Sequence, residues 1–230
     1  MANNTEKDIL NTLDSQLSKG YSRRNFLQLA GGVAGAGLLL ASCRRTPPDS
    51  YFVGVGDAGL LNYLYMFETV MAAFYTRSYE QGPAYYSMTL SELELLADLR
   101  DHQLIHKEFL KQILGRDVMG EILPDLSAIT FADRTNTLTH AIALEDMLTG
   151  AYAGALTRFT DTTYVAPISK IMTVQARHAA YVRDILTANS FADSVVVDSN
   201  GFGQALSPQE VMATLKTYIA THLDYSKVPA

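Results

Sequence analysis

The sequence predicts an all-α fold, an up-down four-helix bundle with one long crossover and an additional C-terminal helix. Three observations predict it. Apolar residues recur at intervals of three and four in four long stretches, which is the helical period. The connections between those stretches run short, long, short, the spacing of two hairpins joined by one crossover. An acid followed by Gln-x-x-His occurs once in each hairpin, as Glu68 with Gln103 and His106, then Glu145 with Gln175 and His178.

The elements follow in order. From Asp57 to about Glu80, Leu60, Leu61, Leu64, Phe67, Val70, Met71, Phe74 and Tyr75 mark one long helix, broken at Gln81-Gly82-Pro83. Thr89 or Ser91 with Glu92 and Glu94 forms a capped, acidic start to the second helix, which Gly115 is placed to stop. Residues 115–132 carry Gly120 and Pro124 and show no period, so they form the crossover. A third helix begins near Asp133 and runs to about Phe159; a short polar link then leads past Pro167 into the fourth, marked by Ile168, Ile171, Val182 and Ile185. Residues 190–206 read as irregular, with Val195-Val196-Val197 able to form a small strand pair or a lid. Ser207-Pro208-Gln209-Glu210 combines a cap, a proline at the first helical position and a reciprocal acid, so a fifth helix is expected to about His222.

The first 42 residues read as a removable segment. Arg23 and Arg24 precede an uncharged run from Leu27 to Ser42 that is shorter than the ~20 residues a spanning helix needs and is weakened by Gly31, Gly32, Gly35 and Gly37. The paired arginines resemble a twin-arginine export signal, and Leu40-Ala41-Ser42-Cys43 resembles a bacterial lipobox, in which the cysteine receives lipid. The expected division is a signal peptide at 1–42, a lipid-anchored tether at 43–55 and a helical domain at 56–230. Cys43 is the one cysteine of the chain, so no disulfide is expected and stability must come from the core. A formal net charge of −6 argues against nucleic acid as a partner and leaves the lipid on Cys43 as the expected membrane attachment, at the periplasmic face of the inner or outer membrane.

Residues three apart on a helix share a face, so each Gln-x-x-His pair can present two polar groups at one point. Two acids and two histidines at mid-height in a bundle are expensive to bury unless they bind one another or a metal. His102 and His106, four apart, offer an alternative metal spacing completed by Glu145 or His178. Asp101 and Asp146 fall about 100° around their helices from the inner residues and belong to other faces. Tyr63, Tyr65, Tyr75, Tyr152 and Tyr181 read as packing, Met66, Met71, Met147 and Met172 as gap filling, and His140 and His222 as surface residues.

This arrangement resembles the ferritin-like carboxylate-bridged dimetal proteins. Within them it is most similar to bacterial exported ferritin-like domains, through LNYLYMFETVMAAFY at 61–75 and VQARHAAY at 174–181. The resemblance implies that Glu68, His106, Glu145 and His178 are metal ligands, with Gln103 and Gln175 standing where the family carries bridging glutamates. A Gln amide offers one neutral oxygen and two N–H donors in place of a charged bridge. Two carboxylates then balance one divalent ion and not two. The expected cofactor is iron or manganese, one ion rather than two. The expected activity is oxidoreductase chemistry on dioxygen or peroxide; the alternative is a non-catalytic envelope scaffold that keeps a degenerate site without metal.

Overall fold

The computed structural model describes residues 50–81 and 88–230. Arg23, Arg24 and Cys43, with the export and lipidation readings attached to them, lie outside these residues. The expected all-α bundle is present. Its helices are α1 (Gly56–Gln81), α2 (Leu90–Leu114), α3 (Arg134–Leu156), α4 (Val165–Leu186) and α5 (Pro208–Leu215). Two short strands, β1 (Tyr51–Phe52) and β2 (Leu223–Asp224), pair in parallel. Among the described residues no helix is long and apolar enough to cross a membrane.

Local chemistry sets the helix ends. Thr89 and Glu92 form a reciprocal capping box at the start of α2, Asp133 caps α3, and Ser207 with Glu210 caps α5 with Pro208 in its first turn. Gly115, at φ 55°, ends α2 in the left-handed region that glycine enters without strain. Glu92 also accepts from Arg134 Nε at 2.8 Å, which fastens the start of α2 to the start of α3.

α1 is the core of the molecule. Every residue from Gly59 to Glu68 is buried, so the helix is enclosed on all sides and not along one stripe. α2 and α3 cover part of it, and the crossover covers more. Asn62 is buried because it pins the start of that crossover, donating to the Asp117 carbonyl at 2.8 Å and accepting from Met119 N–H at 2.8 Å. Phe131 packs on Phe74 near the other end of α1. The crossover therefore runs the length of the helix.

The fifth helix is shorter than its sequence period suggested. It ends at Leu215, turns once as 3-10 helix to Tyr218, and then extends. Backbone bonds to the crossover claim this segment: Asp125 N–H donates to the Tyr218 carbonyl and Ala220 N–H to the Leu123 carbonyl, while Tyr51 N–H donates to the His222 carbonyl. The Val195–Val197 run makes a single antiparallel bridge, Val197 with Gly203, rather than a strand pair. α3 stops at Leu156, about a turn before the expected end.

Candidate metal centre

Six residues singled out from the sequence meet in the middle of the bundle, Glu68 from α1, Gln103 and His106 from α2, Glu145 from α3, and Gln175 and His178 from α4. The acids and glutamines are fully buried, and the two histidines nearly so. They are joined by hydrogen bonds that cross between hairpins. Gln103 Nε2 donates to Glu145 Oε1 at 3.1 Å, and Gln175 Nε2 donates to Glu68 Oε1 at 2.8 Å. The two amides also bond each other reciprocally, Gln175 Nε2 to Gln103 Oε1 at 2.7 Å and Gln103 Nε2 to Gln175 Oε1 at 3.2 Å. Each amide thus uses its donor arm on the acid of the opposite hairpin.

The histidines turn the same ring atom inward. His106 Nδ1 lies 3.4 Å from Glu68 Oε1, and His178 Nδ1 lies 3.8 Å from Glu145 Oε1. His106 Nδ1 also meets Gln175 Nε2 at 3.1 Å, and His178 Nδ1 meets Gln175 Oε1 at 2.9 Å. On its outer side His178 Nε2 is 2.9 Å from His102 Nδ1, with the two rings stacked nearly parallel. His102 is therefore a partner of the inner histidine on the route to the surface. Asp101 pairs with its neighbour Arg100 and Asp146 lies beside Arg183, so both acids belong to other faces, as helical geometry required.

Two further residues complete the centre, and the reading of the tyrosines as packing is corrected for them. Tyr152 Oη donates to Glu68 Oε1 at 2.6 Å, and Tyr75 Oη donates to Glu145 Oε1 at 2.7 Å. The sequence did hold a signal for this pair: each tyrosine stands seven positions, about two helical turns, after the acid of its own helix. Because Tyr75 on α1 reaches Glu145 on α3 while Tyr152 on α3 reaches Glu68 on α1, the two helices must run antiparallel. His140 is also not a free surface residue; its Nδ1 meets Tyr218 Oη at 3.0 Å.

Burial governs the electrostatics. Desolvation holds the Glu145 carboxyl well above the usual carboxylate range, opposed by the Tyr75 hydroxyl and reinforced by the charge of Glu68. Desolvation also pushes Tyr75 and Tyr152 up, as does the nearby acid each one serves. His178 is pushed down to about 3 by desolvation and by the neighbouring His102 and His106, so its imidazole is neutral near pH 7.

Among the described residues no three His, Cys, Asp or Glu side chains converge in a ready-made coordination geometry. The donors that meet are bonded to each other, with one exception. Glu68 Oε2 and Glu145 Oε2 are buried and have no hydrogen-bond partner, while each Oε1 takes a tyrosine and a glutamine. A buried oxygen left without a partner costs about 1–3 kcal/mol. Two carboxylate oxygens and two imidazoles suit one hard-to-borderline divalent cation. They do not suit a pair, because two carboxylates leave half the charge of two such ions uncompensated in a low-dielectric core.

Four long helices with acid, amide and imidazole repeated once per hairpin define a bundle with an internal two-fold polar centre. A family model described as ferritin-like domain matches residues 56–188, and the chain belongs to that family. No curated protein matches it.

Proposed function

We propose that this ferritin-like protein binds one divalent cation, iron or manganese, at the bundle centre, and that it is exported and anchored by lipid on Cys43. The observation that carries the metal reading is the pair of partnerless buried oxygens, Glu68 Oε2 and Glu145 Oε2. Glu68, Glu145, His106 and His178 would hold the ion. The hydroxyls of Tyr75 and Tyr152 and the amides of Gln103 and Gln175 fix each carboxylate through its other oxygen. When bound, such an ion supplies redox and Lewis-acid chemistry toward dioxygen or peroxide. The chain's own part is to exclude water, to keep His178 neutral and to hold the carboxylates in one orientation. The export reading is supported by Arg23, Arg24 and the apolar run before Cys43.

A second reading is favoured by the closed amide pair. Reciprocal bonds between Gln103 and Gln175 satisfy the centre almost completely without a ligand, as a scaffold protein requires. Metal content per chain separates the two. Protein purified without a histidine tag and reconstituted separately with iron, manganese and zinc should retain about one ion per chain and melt at a higher temperature. No retained metal and an unchanged melting temperature would leave the scaffold reading; about two ions would overturn the charge argument.

A further inference from the structure

Hydrogen-bond partners fix which ring nitrogen of His178 carries a proton. Gln175 Nε2 donates to Glu68 Oε1 at 2.8 Å and to Gln103 Oε1 at 2.7 Å, so the amide has its nitrogen on the side of these two oxygens. Its own Oε1 is thereby turned toward His178 Nδ1, at 2.9 Å. A carbonyl oxygen has no hydrogen to give, so His178 Nδ1 is the donor and carries the N–H of the neutral ring. His178 Nε2 then holds a lone pair, and at 2.9 Å it accepts from His102 Nδ1.

This is the wrong arrangement for a ligand. To hold a cation at the centre, His178 must present a lone pair at its inward Nδ1, and its single N–H must then stand on Nε2 and find an acceptor there. His102 can supply that acceptor through the same atom, because an imidazole nitrogen donates in one tautomer and accepts in the other. In the exchange His102 passes its Nδ1 proton to His178 Nε2 and takes a proton from water at its own Nε2, while His178 gives up its Nδ1 proton to water. The pair holds two N–H protons before and after, and both rings end neutral. His102 is half-buried, so it stands where the exchange can reach solvent. A carboxylate at this position would only accept and a lysine would only donate, so neither would serve both states.

We propose, resting on the metal reading of the centre, that His102 is a positioning residue for the ion: it donates to His178 in the metal-free protein, and it accepts from His178 when that ring turns its lone pair to the metal. The test is nitrogen-15 NMR of the histidine-labelled full chain before and after loading with zinc, a diamagnetic divalent probe, the His178 signals being those lost in His178→Gln. Metal-free His178 should show the Nδ1–H tautomer and zinc-loaded His178 the Nε2–H tautomer. His102→Phe, which keeps a ring without an acceptor, should weaken zinc binding about 10–100-fold, and His102→Gln, whose amide oxygen can accept, should recover most of that loss. A packing role alone predicts the reverse order, with Phe the better substitute. Circular dichroism identifies a variant that has failed to fold; should His102→Phe do so, the wild-type tautomers decide alone. An Nε2–H tautomer before loading, no change of tautomer on loading, or wild-type zinc affinity in folded His102→Phe would overturn this role and leave the metal reading standing. Wild-type protein that retains no zinc, iron or manganese would overturn both.

Discussion

Tyr152 on α3 donates its hydroxyl to Glu68 on α1 at 2.6 Å, and the same bond recurs between Tyr75 on α1 and Glu145 on α3 at 2.7 Å. Each helix supplies an acid to the centre and a phenol to the acid of the other. The hairpins are therefore tied by reciprocal, buried hydrogen bonds in addition to apolar packing.

Removing either phenol leaves a buried carboxylate short of one donor. Tyr75→Phe and Tyr152→Phe should each lower stability by about 1–3 kcal/mol in urea unfolding. The two effects should be similar, because the environments are related by the internal repeat. A variant indistinguishable from wild type would mean that its bond contributes nothing net.

The glutamines set the charge of the centre. Gln103→Glu with Gln175→Glu breaks the reciprocal amide pair and adds two carboxylates to a closed core. The metal-free double variant should melt well below wild type. Its bound metal should rise from about one ion per chain toward two, measured by elemental analysis. Stoichiometry that stayed at one would show that charge is not what limits loading.

Burial makes the metal-free protein sensitive to pH in two opposed ways. Glu145 has a raised pKa in the folded state, so it favours folding below its ordinary value of 4.5, and that contribution is lost as pH rises toward the folded value. His178 is lowered from 6.5 to about 3, so its contribution is complete above 6.5 and is lost as pH falls through that window. Glu145→Gln should therefore gain stability relative to wild type as pH is raised from about 5 to about 8 in denaturant titrations. Parallel curves for the two proteins would contradict the assignment.

The C-terminal segment is latched to α3 by contact too close for a side chain. Leu206 N–H donates to the Gly150 carbonyl at 2.9 Å, and a Cβ on Gly154 would collide with the Leu206 carbonyl oxygen. Gly154→Ala should release this segment, read as faster amide exchange through 204–215 with α1 and α2 unaffected. Gly150→Ala should be milder, because the added Cβ meets the flexible side chain of Leu206 at 2.8 Å. Equal protection in both variants and wild type would show that the close approach is not what holds the segment.

Much of this architecture was legible in the sequence because its determinants are local. The caps at Thr89, Asp133 and Ser207, the stop at Gly115 and the three-and-four spacing of α2, α3 and α4 act within a few residues of chain. The paired acid and Gln-x-x-His motifs fixed which six polar residues would meet, since helix rise and hairpin geometry leave little choice of level.

Only the tertiary structure decided how those residues are bonded. The amides cross between hairpins, the acids each keep one oxygen without a partner, and Tyr75 and Tyr152 belong to the centre rather than to ordinary packing. The end of α5 and the partner of His140 were settled in the same way, by contacts with the crossover and with Tyr218. Propensity and period report on neighbours along the chain, whereas a hydrogen bond between residues 70 or 84 positions apart depends on how whole helices pack. The sequence determined a helical bundle and the polar residues buried in it; packing alone determined which oxygens were left to bind something else.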